Sequence, residues 1–343
     1  MYKFALIVLI FCLGNFGAMA QNDFAISGVI RAKNGKPIEA ATVFIADSKK
    51  ITLTNDKGAY FIGGLSSGNY ELVVKMIGYV SEKRNISISE KSLVQDIKLA
   101  DAIVALNEVT IKFDKKREEY LRIFRDAFLG TTLNGEACEI ENPEVLIFKS
   151  KTDYLAATSN DFLIVTNNKL GYRIKYLLKT FTYTKANRLT SFDGDCVFEE
   201  LTGTPEERSK WIANRKAAYF GSFMHYLRAV FANNAEQNGF FTYAAISETG
   251  PMKISTQPTN PGVFTSVVDS NFVKLEFPRS VYVLYNQEIT GRLDYNIGSL
   301  LRPYLKHTLV DSKGSYVDYK SFYVRGFWGG KRIGDRLPFE YQP

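Results

Sequence analysis

The sequence predicts a β-rich chain in two parts: an all-β sandwich, then an α+β domain with an antiparallel sheet and two or three helices. Three observations carry this expectation. Up to about position 112, short alternating apolar runs recur roughly every ten residues, each closed by a turn signal. Aromatic residues make up 14% of the 343 residues, with 25 Phe and 20 Tyr, which leans toward strands. Capped helix signals appear only after position 113.

The first part is legible strand by strand. Phe24–Ile30 alternates, and Asn34-Gly35 is a hairpin signal because both residues tolerate positive φ. After Pro37 comes the apolar run Ala41–Ile45. Thr54–Gly58 is a turn, Tyr60–Ile62 a short strand, and Ser67-Gly68 leads into Tyr70–Lys75, which Gly78-Tyr79 ends. Ile86, Ile88, Leu93 and Ile97 continue the pattern. Gly35, Gly58 and Gly68 read as turn scaffold, where a Cβ would be penalised.

Several of these residues occur in a family's order: Gly28, then Gly35-x-Pro37 with Ala40, Ala41 and Val43. Thr54, Asp56 and Gly58 with Tyr60 and Phe61 follow, then Gly68-x-Tyr70 with Leu72. The pattern resembles the carboxypeptidase-regulatory-like domain. That resemblance implies a transthyretin-like sandwich of about seven strands over residues 21–112. The segment Leu106–Ile111 is similar to the one that follows this domain in TonB-dependent receptors of Bacteroidota, but here too little chain follows for a plug and barrel.

The second part, 113–343, opens with a helix signal over Asp114–Leu129. Tyr120, Leu121, Phe124, Ala127 and Phe128 share one face, and Gly130 suits the C′ position. Strands are expected at Val145–Phe148, Phe162–Thr166 and Tyr172–Thr184. In the last, Tyr172, Ile174, Tyr176 and Leu178 alternate with Arg173, Lys175, Leu177 and Lys179. Asp193-Gly194 reads as a hairpin turn. Thr204-Pro205-Glu206-Glu207 is a capping box with Pro at the first helical position. The helix runs to about Ala232 with a break at Gly221-Ser222. Residues 250–262 read as a mobile loop, and Phe272–Phe277, Val281–Tyr285, Tyr304–Val310 and Tyr316–Tyr323 as strands.

This second part is also similar to exported Bacteroidota proteins that carry the same first domain. The shared stretches are Phe128–Gly130, Cys138-x-Ile140-x-Asn142-Pro143, Asn168 to Tyr172, Trp211 to Arg228, Gly326–Trp328 and Asp335 to Pro338. The likeness implies no reaction.

Residues 1–20 read as a signal peptide. Lys3 is the basic start, Phe4–Leu13 the apolar stretch, and Ala18-Met19-Ala20 the cleavage site. Ten apolar residues fall short of the roughly 20 a membrane span needs. Cys12 lacks the small residues of a lipidation site. No transmembrane span is expected after cleavage, and the chain is placed in the periplasm or at the outer membrane. In that oxidising compartment Cys138 and Cys196 are a possible disulfide.

The net charge of +7 is dispersed over Lys49-Lys50, Lys115–Arg117 and Lys331-Arg332 rather than gathered on one face. That argues against a nucleic-acid partner. Two His and three Cys exclude chemistry built on many such ligands. A zinc carboxypeptidase site needs His-x-x-Glu. His225 is followed by Tyr226, Leu227 and Arg228, and His307 by Thr308, Leu309 and Val310, so no metal or cofactor is expected. Gly329-Gly330-Lys331 is not a phosphate loop, and Asp193-Gly194-Asp195 lacks the spaced ligands of a calcium loop.

Ser222 and His225, three apart on a helix, are the candidate catalytic pair, without the strained elbow of a nucleophilic serine. Arg215, Arg228, Trp328 and Asp335 are the candidate binding residues. The leading expectation is a non-catalytic envelope protein that binds a protein or glycan. The alternatives are a peptide or glycan hydrolase around Ser222/His225 and a small outer-membrane barrel.

Overall fold

The computed structural model describes residues 23–102, 116–247, 253–286, 294, 296–316 and 321–343. The expected signal peptide, the Leu106–Ile111 segment and the expected boundary at 112 lie outside the described residues.

The N-terminal part has eight short strands: β1 Phe24–Ala32, β2 Thr42–Ile45, β3 Ile51–Leu53, β4 Ala59–Leu65, β5 Gly68–Lys75, β6 Glu82–Ile88, β7 Leu93–Val94 and β8 Ile97–Leu99. β1 pairs antiparallel with β4 and parallel with β7 and β8, and the other sheet runs β3-β2-β5-β6. The alternation in the sequence turns Ile26, Ile30, Val43, Ile45, Ile62, Leu72, Val74 and Ile88 into one buried core.

The next six strands form a sheet around one long member. After α1 (Arg117–Leu129) and the single turn α2 (Leu133–Glu136) come β9 Cys138–Ile140, β10 Leu146–Ser150, β11 Tyr154–Ser159, β12 Leu163–Asn167, β13 Tyr172–Thr184 and β14 Leu189–Glu200. The order is β10-β11-β13-β12-β9, with β14 also pairing β13. The period-2 pattern of β13 holds: Tyr172, Ile174, Tyr176 and Leu178 face Phe124 and Phe128 of α1 in the core, while Lys175 on the other face pairs with Glu199 at 2.5 Å.

Asp193-Gly194 is not the hairpin turn. Both residues lie inside β14 at a register shift opposite Leu178 and Thr180, and the chain turns at 185–188, where Arg188 has φ 54°. Gly194 is needed there because a Cβ would meet the Leu177 carbonyl.

Two helices follow: α3 Pro205–Tyr219 and α4 Phe223–Phe231. Thr204 and Glu207 form the expected capping box, and the break falls at Gly221, φ 75°, with Ser222 capping α4. The remaining strands are β15 Phe240–Ser247, β16 Lys253–Ile254, β17 Thr265–Val267, β18 Phe272–Leu275, β19 Val281–Tyr285, β20 Ser299–Pro303, β21 Thr308–Asp311 and β22 Phe322–Gly326, closed by the turn α5 Phe327–Gly330. They form the sheets β16-β15-β19-β20-β22 and β17-β18-β21. The described part of the expected mobile loop is tied down. The Ser255 N–H donates to the Ala244 carbonyl, the Thr259 N–H donates to the Thr242 carbonyl, and Pro261–Phe264 is a 3-10 turn.

All described sheets have open edges. A membrane barrel requires one closed antiparallel sheet, so the small-barrel alternative does not describe this fold.

The two parts are joined at the edge of β14. Ser48 bridges in parallel to Val197, the Asp47 N–H donates to the Cys196 carbonyl, and the Phe198 N–H donates to Ser48. Phe44, Ala46 and Val73 share a small apolar cluster with Leu177 and Val197. From the far end of the sequence, Phe339 enters the sandwich core.

Candidate functional site

Ser222 and His225 are brought together, but not as a nucleophile and base. Ser222 Oγ accepts the backbone N–H of His225 at 3.1 Å, the work of an N-cap. The imidazole is 4% exposed and ringed by Tyr219, Phe220, Phe240 and Tyr285. The Gly221 N–H donates to Nδ1 at 3.2 Å, which leaves the proton on Nε2 facing Asn238 Oδ1 at 3.2 Å. Burial lowers the pKa of His225, with Asn238 opposing and Arg228 adding to the shift. The acceptor nitrogen a general base would use is therefore occupied, and the expected catalytic pair is a capped helix start.

The four candidate binding residues are also turned inward. The Arg215 guanidinium lies 3.9 Å from the Tyr172 ring centroid and donates to the carbonyls of Leu170 (2.7 Å) and Gly171 (3.0 Å). Arg228 donates to the carbonyls of Lys313, Phe339 and Tyr341 at 2.8–2.9 Å, which holds the C-terminal segment down. Trp328 is buried against Phe223 and Tyr226, and its Nε1 donates to the Gly221 carbonyl at 2.7 Å. Asp335 accepts from Thr132 Oγ1 (2.7 Å), Asn134 Nδ2 (2.9 Å) and Lys331 Nζ (3.3 Å). Their hydrogen-bonding groups are spent on fold contacts, so they do not form an exposed patch.

Cys138 and Cys196 are both free thiols and buried. Through the registers Cys138–Asn167, Asn167–Tyr172 and Tyr176–Cys196, they lie on strands separated by β12 and β13. Strand spacing alone puts them about 14 Å apart, beyond the roughly 7 Å Cα separation that a disulfide tolerates. The two thiols therefore do not form the possible disulfide. Burial pushes the Cys138 thiol up to about 12. Cys196 is shifted upward by burial and by Asp47, whose Oδ1 accepts its S–H at 3.0 Å. Among the described residues, no cluster of three His, Cys, Asp or Glu could hold a metal ion.

The open surface lies elsewhere. A trough of about 730 Å³ runs between β17, β18 and the turn after β20. Phe264, Phe277, Pro278 and Pro303 give it an apolar lining, and Lys274, Glu276, Lys306 and Tyr304 give it charge and an aromatic face. Tyr304 is 69% exposed. Glu276 pairs with Lys274 at 3.1 Å and Lys306 at 3.8 Å, and the bond to Lys274 holds its carboxyl below the usual range. It is the trough's one carboxylate side chain among the described residues. A smaller trough of about 540 Å³ lies between β3 and the central sheet. It is lined by Leu53, Phe162 and Ile164, with Lys175 and Glu199 paired to each other.

Residues 26–111 match the CarboxypepD_reg-like domain family. The N-terminal sandwich is a carboxypeptidase-regulatory-like domain. The rest of the chain lies outside that match. No curated protein matches the chain in sequence. Among solved structures, a cohesin–X-dockerin complex of Acetivibrio cellulolyticus is 18% identical, over 30% of this chain and 72% of that one, at a TM-score of 0.22. A Bacteroides fragilis protein of unknown function is 13% identical over 88% and 93%, at 0.20. The major pilin subunit of Bacillus cereus is 8% identical over 91% and 97%, at 0.21. Likenesses this weak decide nothing about function.

The trough had a faint signal in the sequence. Val263, which lines it, and its neighbours Val267 and Val268 are apolar residues near a Pro- and Thr-rich stretch, where no strand period announces a core.

Proposed function

We propose that this chain is a non-catalytic, exported cell-envelope protein that binds a protein or glycan partner through the trough beside β17. One contrast carries the reading. His225, Arg215, Trp328 and Asp335 are buried and committed to fold contacts, while the open trough presents apolar and charged surface around one carboxylate. Glycoside hydrolysis uses two carboxyl groups flanking the bond, and nucleophilic hydrolysis uses a base free to take a proton. Glu276 is held ionised by Lys274, which suits a binding contact better than a proton donor. Residues 21–112 serve as the regulatory-like module, and 113–343 carry the binding trough.

The test is a photo-activatable residue in place of Ser266, in the full-length protein expressed in its own envelope. A discrete cross-linked partner, lost in the Lys274→Glu/Lys306→Glu double variant, supports binding. Turnover of a peptide or glycan panel that Glu276→Gln abolishes would replace this reading with a hydrolase. Export is checked by the N-terminus of the purified protein, expected at Gln21.

A further inference from the structure

The edge of β17 has the character of an unfinished sheet. Its inner neighbour is β18, in the register Thr265–Leu275, Ser266–Lys274, Val267–Val273. The Glu276 N–H donates to the Phe264 carbonyl, and the Val268 N–H donates to the Phe272 carbonyl. The antiparallel ladder therefore directs Phe264, Ser266 and Val268 toward β18, and turns the peptide N–H and C=O of Val267 toward the open edge.

The side chains fit the same description. Val273 and Leu275 of β18 face the core, and Val267 lies on that face, yet it is 81% exposed because the core ends beneath it. Val263, in the turn before β17, lines the trough and is 67% exposed. On the opposite face, Ser266 is a small residue beside Lys274, and the Lys274 and Lys306 ammonium groups share the single carboxylate of Glu276. Two positive charges there share one negative charge.

We propose that β17 accepts an extended segment of a protein partner as an added strand. Apolar side chains of that segment cover Val267, and alternate acidic side chains reach the lysines of the trough. The proposal rests on the binding reading above and names its partner chemistry. Strand addition draws affinity from main-chain bonds and specificity from alternate side chains. A glycan would use the exposed Tyr304 ring, but it would leave Val267 and the edge peptide groups as they are.

The probe is a short fluorescent peptide in which Glu and Val alternate, titrated against the purified full-length protein beside a peptide of the same composition with Glu and Val in blocks. The alternating peptide is expected to bind more tightly and to weaken with salt. Val267→Pro removes only the outward N–H, because that group makes no bond to β18, and Pro is tolerated on an edge strand. It is expected to weaken binding about tenfold or more with the thermal midpoint kept. Lys274→Glu/Lys306→Glu is expected to remove discrimination between the peptides. Equal binding of both peptides, or binding unchanged by Val267→Pro, overturns strand addition. If the photo-cross-linked partner persists in Val267→Pro, the binding reading survives while this one falls. Saturable binding of oligosaccharides that depends on Tyr304 overturns the protein-partner assignment.

Discussion

Lys313 occupies the space that a side chain at position 68 would need. Its ammonium sits over Gly68, 4.5 Å from the Tyr70 ring centroid and 5.6 Å from that of Phe339, and 3.0 Å from Asp311 Oδ2. A residue near the end of β21 thereby closes onto the start of β5 in the regulatory-like domain. Gly68→Ala would displace that ammonium from Asp311 and would place a Cβ at φ 146°. We expect a loss of about 1–3 kcal/mol, measured as a fall in the denaturation midpoint, while Gly35→Ala, with open space around it, loses less.

His225 makes the stability depend on pH in a set direction. Its folded-state pKa is lowered from 6.5, chiefly by burial, so the unfolded chain takes up the proton first. The stability contributed by the neutral ring is complete above 6.5 and is lost as pH falls through the lowered folded value. Unfolding midpoints taken at pH 7.5 and pH 5.5 should therefore differ, and His225→Asn should narrow that difference. An unchanged difference would remove His225 as its source.

Cys138 and Cys196 should behave as sealed thiols. Without reductant, a thiol-reactive chromophore should label neither Cys138 nor Cys196 in the folded protein and both in denaturant, because each thiol is buried and shifted upward. Reductant should leave the thermal midpoint in place. A midpoint that drops with reductant would indicate a disulfide.

Arg228 should act on stability rather than on any ligand. Arg228→Met leaves the carbonyls of Lys313, Phe339 and Tyr341 without their donor, an expected cost of about 2–3 kcal/mol. Lys in its place should recover only part of this, since one ammonium cannot reproduce the fork. Limited proteolysis should then cut first after position 330.

How much was legible follows from how local each signal is. The Thr204–Glu207 capping box, the Gly221-Ser222 break and the alternation of β13 are set by neighbours in sequence, and each sits where the sequence places it. The regulatory-like domain was readable because its turn glycines and alternating strands come in order within about 90 residues. Long-range events were not readable. Arg215 and Arg228 look like surface charges until Tyr172 and the C-terminal carbonyls close around them. Asp193-Gly194 has the composition of a turn, and only the pairing of β13 with β14 shows it as a bulge. The trough is assembled from segments around positions 265, 275 and 304; strands at Phe272–Phe277 and Tyr304–Val310 are readable singly, but their meeting with the segment around 265 is not.

The entry of Phe339 into the first sandwich has a consequence for the order of synthesis. Lys49 and Glu340, which hydrogen-bond beside that entry, are 291 residues apart. The regulatory-like module therefore leaves the ribosome long before the ring that fills its core, and its loop 46–49 waits for the β14 edge it is to cover. A chain cut short before that ring would carry an unfilled apolar core, a surface that chaperones and proteases recognise.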